Sequence, residues 1–290
     1  MNITTAAILL PTGIVAGIGL VCGLGLAIAS KFFSVKEDER IELVRGVLPG
    51  ANCGACGFAG CDDYAKAVCE GAAQPNLCVP GGAAALSGIN GILGTDAQAG
   101  ERKAAIVACT GKNTVTAKRY EYLGINTCKA ANLLYGGGGK CQYGCIGLGD
   151  CVRGCQFGAI NIENGVAVVN RAVCMGCGAC RDSCPKALIS LIPTSDSVFV
   201  TCQNKSKGPV AMKVCEESCI ACKRCEKACD SGAIKVTDNL AFIDTEKCTN
   251  CGACIAVCPR KTISYISQQT GKVMLISEVE AEPETAEDAE

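Results

Sequence analysis

Cys174-Met175-Gly176-Cys177-Gly178-Ala179-Cys180-Arg181-Asp182-Ser183-Cys184-Pro185 returns 74 residues later as Cys248-Thr249-Asn250-Cys251-Gly252-Ala253-Cys254-Ile255-Ala256-Val257-Cys258-Pro259. The offset is general. Adding 74 to Cys128, Cys141, Cys145, Cys151, Cys155, Cys174, Cys177, Cys180 and Cys184 gives Cys202, Cys215, Cys219, Cys225, Cys229, Cys248, Cys251, Cys254 and Cys258. Neighbours repeat as well: Thr127-Cys128 with Thr201-Cys202, and Gly158-Ala159-Ile160 with Gly232-Ala233-Ile234. Residues of about 122–195 and 196–269 are therefore two copies of one unit, and this internal period decides the architecture.

Each copy carries cysteine runs spaced C-x2-C-x2-C-x3-C, the bacterial iron–sulfur spacing. Cys174–Cys184 and Cys248–Cys258 are complete with Pro, and Cys219-Cys222-Cys225-Cys229 lacks only the Pro. The fourth run, Cys141-Cys145-Cys151-Cys155, is irregular, with Leu148 where the sister copy has Cys222. Three cysteines two residues apart wrap a loop around one face of a cubane, each thiolate reaching a different iron. The fourth, at the start of a helix, points to the neighbouring cluster. Each copy should thus hold two [4Fe–4S] clusters with crossed ligation. Cys155 joins Cys174, Cys177 and Cys180, and Cys184 joins the first run; Cys229 joins Cys248, Cys251 and Cys254, and Cys258 joins Cys219, Cys222 and Cys225. Cys141 is the candidate to replace the ligand missing at Leu148. Between the runs, residues 159–168 read as a hairpin with an Asn164-Gly165 turn. The expected class is α+β, two tandem ferredoxin-like modules. Zinc is the rival metal, but zinc sites bring two CxxC pairs separated by a longer stretch.

Composition agrees. The 290 residues include 26 cysteines, no His and no Trp, and aromatics make up 4%. With so little bulky material, something besides side-chain packing must organise much of the fold. The lack of His removes His acid–base catalysis, His-ligated zinc or haem and Rieske centres. A net charge of −1 argues against nucleic acid as a partner.

From Ala6 to Ser30 the chain carries no charge and is strongly apolar, long enough as a helix to cross the ~30 Å hydrocarbon core of a membrane. Gly13-x-x-x-Gly17 and Gly19-x-x-x-Gly23 suit close approach of another membrane helix. A cleaved signal peptide, suggested by Ala27-Ile28-Ala29, is disfavoured because no basic region precedes the run and the run is too long. Lys31, Lys36, Arg40 and Arg45 all follow it, which puts the body on the cytoplasmic side of the plasma membrane as a single-pass protein. That compartment is reducing and favours metal ligation over disulfides.

Leu48-Pro49-Gly50-Ala51-Asn52-Cys53-Gly54-Ala55-Cys56-Gly57 leads to Cys61 and then Cys78-Val79-Pro80-Gly81-Gly82. On spacing alone, C-x2-C-x4-C-x16-C without His is a four-cysteine site for iron–sulfur or zinc. Residues 62–71 read as a short helix bearing Cys69, taken as a packed thiol. An anchor, this segment and then ferredoxin modules together closely resemble the B subunit of Rnf-type complexes, the ion-pumping ferredoxin:NAD+ oxidoreductases. The resemblance covers residues 1–270. It implies that Cys53, Cys56, Cys61 and Cys78 bind a [4Fe–4S] cluster, and that partner subunits carry flavins, the NADH site and the ion path. The doubled ferredoxin section goes beyond the simplest family pattern.

Five sets of four leave Cys22, Cys69, Cys109, Cys128, Cys202 and Cys215. Cys22 lies in the apolar span. Cys109, Cys128, Cys202 and Cys215 could in number make a sixth cluster; the reading preferred on sequence alone is buried structural thiols. The expected division is an anchor (1–30), an iron–sulfur domain and linker (31–100), modules 101–195 and 196–276, and a tail. Residues 277–290 hold seven acids and no base, as a solvated tail would. Lys205, Lys207, Lys213, Lys223, Arg224 and Lys227 crowd near the third run, a patch that would steer an acidic redox partner such as reduced ferredoxin. An ordinary solvated face is the plainer account of these charges. The function expected is a membrane-anchored electron relay with lipid and other subunits as partners and no catalytic residue of its own. The alternatives are a relay in another membrane reductase or hydrogenase-type complex and a zinc interaction protein.

Overall fold

The computed structural model describes residues 3–32, 38–195, 198–266 and 273–274. The acidic segment 277–290 lies outside the described residues. Helix α1 (Ile3–Phe32) contains a stretch, Thr12–Lys31, long and apolar enough to cross a membrane, and none of it is buried against the rest of the chain.

A small helical domain follows. In α2 (Glu39–Val47), α3 (Cys61–Cys69) and α4 (Gly82–Leu93), Asp38 caps the first helix by accepting from the Arg40 N–H. Val44, Tyr64 and Ile89 are the domain's fully buried centre. The Tyr64 hydroxyl donates to the Gln74 carbonyl at 2.9 Å and accepts from the Leu77 N–H at 3.2 Å, which pins the chain just ahead of Cys78.

Module one contains β1 (Lys103–Val107), α5 (Cys128–Leu133), α6 (Asp150–Arg153), β2 (Ile160–Glu163), β3 (Val166–Val169), α7 (Ala179–Ser183) and β4 (Ile189–Pro193). Module two repeats the strand order, with β5 (Val198–Val200), α8 (Gly208–Val214), α9 (Arg224–Lys227), β6 (Ile234–Thr237), β7 (Leu240–Ile243), α10 (Ala253–Ala256) and β8 (Ile263–Ile266), and β9 (Val273–Met274) added beside β8. In each, the outer strands pair antiparallel (β1 with β4, β5 with β8) and the inner two form a hairpin. Asn164 and Gly165 both have positive φ, as the two-residue turn requires. The two cores correspond at the 74-residue offset: Cys151, Ile160, Ala167, Val169, Cys180 and Ile189 in one, Cys225, Ile234, Ala241, Ile243, Cys254 and Ile263 in the other.

Two features differ from the sequence reading. The fourth cysteine of a run ends a helix rather than starting one. Cys184 is the extended C-cap of α7, where the following proline disfavours helical backbone, and Cys258 lies two residues past α10. The second difference concerns the offset itself. Val107 pairs with Ile189 and Val200 with Ile263, so the first strands are related by 93 residues, not 74. Module one therefore carries 19 extra residues between β1 and its first run, and α5 sits in that insertion.

Candidate functional site

Most of the cysteines line shared cavities. Among the described residues, no group of three or more His, Cys, Asp or Glu is set to hold a single metal ion. In the helical domain, Cys53, Cys56, Cys61 and Cys78 face one cavity. Asn52, with φ of 46°, holds the loop by accepting from the Cys61 N–H at 2.8 Å. In module one, Cys155, Cys174, Cys177 and Cys180 share a cavity. Backbone N–H groups of Ala105 and Gly176 donate to the Cys174 sulfur at 3.4 and 3.5 Å, and that of Ala159 to Cys155 at 3.4 Å. Gly176 has φ of 68°, and a Cβ there would meet the Lys103 carbonyl oxygen at 2.3 Å. Only glycine lets the run approach β1 so closely.

In module two, Cys219, Cys222, Cys225 and Cys258 line the matching cavity of the other run. Cys248 and Cys251 lie close enough to Cys254 for their charge to reach it, and Cys229 accepts from Ala233 as Cys155 does from Ala159.

Cys141 does not line the cavity of the irregular run. The cavity holding Cys145, Cys151 and Cys184 is completed by Cys128, the first residue of α5, while Leu148 does not line it. Its walls match the Cys219 cavity almost position for position at the 74-residue offset, with Cys128 standing in for Cys222. The insertion is fastened where this matters. The Asp150 carboxylate accepts from the Lys129 N–H at 2.9 Å, and Arg153 binds Asp150, the Leu148 carbonyl and the Asn126 carbonyl. Burial acts to raise the Asp150 pKa, but N–H bonds from Cys128 and Lys129 and the Arg153 guanidinium outweigh it, so the carboxyl titrates below its usual range. Cys141 faces a further cavity with Cys109, Cys202 and Cys215, between the modules.

Two family models match the chain: "Putative Fe-S cluster" over residues 48–80 and "4Fe-4S dicluster domain" over 218–262. The B subunit of an ion-translocating oxidoreductase complex from Methanosarcina acetivorans is 44% identical over 251 residues, covering 86% of this chain and 95% of that protein. The B subunit of a Na(+)-translocating ferredoxin:NAD(+) oxidoreductase complex from Acetobacterium woodii is 44% identical over 259 residues, 89% and 78% of the two chains. That of a proton-translocating complex from Clostridium ljungdahlii is 42% identical over 257 residues, 87% and 90%. The chain belongs to the family of B subunits of ion-translocating oxidoreductase complexes. It is an iron–sulfur electron-transfer subunit with an apolar N-terminal helix, an iron–sulfur domain and ferredoxin-like modules of mixed helix and strand.

The electrostatics fit iron–sulfur chemistry in this member of the family. Burial, reinforced by neighbouring cysteines, pushes Cys151 up to about 12, and Cys180, Cys225 and Cys254 up to about 11. A buried thiol of this kind ionises readily beside a strong positive charge, which cluster iron supplies. The N–H bonds to sulfur are the donors that tune cluster potentials. Cys69 packs at the edge of the helical core, and Cys22 is exposed on α1.

The sequence reading gives the irregular run Cys141 as its missing member, whereas the cavity of Cys145, Cys151 and Cys184 is lined by Cys128. One signal was available: Cys128 is in the copy that lacks a cysteine at 148, and Cys202 is in the copy that has one at 222.

Proposed function

We propose that this chain is the membrane-anchored relay of an ion-translocating ferredoxin:NAD+ oxidoreductase complex, receiving electrons from reduced ferredoxin. Five [4Fe–4S] clusters are assigned to Cys53, Cys56, Cys61 and Cys78; to Cys155, Cys174, Cys177 and Cys180; to Cys128, Cys145, Cys151 and Cys184; to Cys219, Cys222, Cys225 and Cys258; and to Cys229, Cys248, Cys251 and Cys254. Such clusters supply one-electron uptake and release; the protein holds them, buries them and donates hydrogen bonds to their sulfur. The working division is an anchor (1–30), a first iron–sulfur domain with linker (31–100), modules 101–195 and 196–276, and an acidic tail (277–290). Basic residues after α1, with none before it, support a cytoplasmic body below a lipid-embedded anchor.

The observation that carries this reading is adjacency. Cys53 lies near enough to Cys177 for its charge to act there, after burial and the Ala179 N–H, and Cys225 likewise reaches Cys254. Neighbouring sites make a route in which each electron moves a short step. Ferredoxin would dock at module two, where Cys222 is exposed and is followed by exposed Lys223 and Arg224, with Lys227 nearby. Rapid mixing of the full chain with reduced ferredoxin tests this. Lys223→Glu, Arg224→Glu and Lys227→Glu together should slow bleaching of the cluster absorbance about tenfold or more at low salt and much less at high salt. An unchanged low-salt rate removes this docking surface.

A further inference from the structure

The cavity between the modules shares only Cys145 with the five sites above, and both copies build it alike. Cys109 lies two residues past the last residue of β1, and Cys202 two residues past that of β5. Cys145 donates its N–H to the Cys109 sulfur at 3.4 Å, and Cys219, its equivalent at the 74-residue offset, does the same for Cys202 at 3.4 Å. Gly111 and Asn204, each two residues further on, add a second backbone N–H to Cys109 and to Cys202 respectively. Cys141 and Cys215, each four residues ahead of the next cysteine, complete the ring. The site thus has an approximate twofold character, each module contributing one cysteine after its first strand and one before its first run.

Three buried polar atoms give an independent reason to expect a ligand. The hydroxyls of Thr110 and Thr201 and the amide nitrogen of Asn204 line this cavity, and none has a hydrogen-bond partner. Thr201 is 2% exposed and Asn204 1%. Leaving such donors unmet costs about 1–3 kcal/mol each, so an unexplained group of them marks something that accepts hydrogen bonds. The sulfurs of a cluster would accept them.

We propose that Cys109, Cys141, Cys202 and Cys215 hold a sixth [4Fe–4S] cluster shared by the two modules. The proposal rests on the iron–sulfur reading of the other five rings. Its place decides its role. Cys145 lines this cavity as well as the Cys128 cavity, and Cys219, a member of the next ring, donates to Cys202. The shared cluster therefore spans the gap between modules: one electron arrives from a cluster on one side and one leaves to the other, with no bond in the protein made or broken. It also ties the modules together, beside the Glu216 N–H to Val115 carbonyl bond at 2.9 Å and the Thr116 hydroxyl to Val214 carbonyl bond at 2.8 Å.

Iron and acid-labile sulfide, counted on the full chain purified anaerobically in detergent, test this directly. Six sites should give about 24 irons per chain and five about 20. Cys202→Ala and Cys141→Ala should each lower the count by about four, and Cys69→Ala should leave it unchanged. Low-temperature magnetic resonance of the reduced Cys202→Ala protein should show weakened coupling between the clusters of the two modules. A wild-type count near 20 that Cys202→Ala leaves unaltered overturns the sixth cluster alone. Equal iron loss in Cys69→Ala overturns it too, by making the loss non-specific. A wild-type chain without iron overturns the five-cluster reading along with it.

Discussion

Gly176 and Gly158 both hold left-handed backbone, yet they predict different costs. A Cβ at Gly176 would lie 2.3 Å from the Lys103 carbonyl oxygen, whereas one at Gly158 would meet nothing within 4 Å. Gly158→Ala should therefore cost only the backbone strain, about 1 kcal/mol, while Gly176→Ala should also push the Cys174 run off β1. Following cluster absorbance on heating, Gly176→Ala should bleach at least several degrees below Gly158→Ala; equal temperatures would show that the close approach to β1 is not needed. Asp150 makes a second prediction at this scale. Its carboxyl titrates below the usual range, so the stabilisation it supplies is present above the unfolded pKa and fades only as pH falls through the lower folded value. At neutral pH it is fully present. Asp150→Asn should thus speed chelator-driven loss of one cluster at pH 7, and an unchanged rate would separate Asp150 from the hold on Cys128.

At the scale of elements, the insertion bearing α5 and the run bearing Leu148 act as a complementary pair. Thr127 caps α5 by accepting from the Ala130 N–H at 3.1 Å, and Asp150 and Arg153 clamp the segment before and within that helix to the run. Cys128→Ala should cost about four irons per chain, and adding Leu148→Cys should restore them by recreating the regular spacing of the sister copy. No recovery in the double variant would mean that the two cavities are not equivalent. Much of this scale was legible in the sequence. The 74-residue offset, the regular runs, the Asn164-Gly165 turn and the Cys53–Cys78 set all follow from spacing and turn chemistry. The match of Cys109 to Cys202 was not legible, because it runs through strand pairing, whereas Cys141 and Cys215 match at the 74-residue offset. The strands concerned, Lys103–Val107 and Val198–Val200, share little sequence, and the 19-residue insertion breaks the register between them and the runs. A linear comparison follows Thr-Cys dipeptides; the fold follows the β ladders.

Across the whole molecule, the rings follow one another from the helical domain through module one, across the shared cavity and into module two. A chain of this kind places electron uptake and delivery at opposite ends of the series, with the apolar helix attached to the helical domain by residues 33–37. Removing residues 1–30 should release the protein from membranes while leaving its iron content intact; retention in the membrane would assign attachment to another surface. The central claim is that the chain conducts electrons from ferredoxin, and an anaerobic optical titration of the full chain in detergent with reduced ferredoxin tests it most directly. The account predicts rapid bleaching of the broad cluster absorbance by about six electrons per chain, one for each cluster. A brown protein that reduced ferredoxin leaves unbleached would contradict it, assigning the clusters to a different donor.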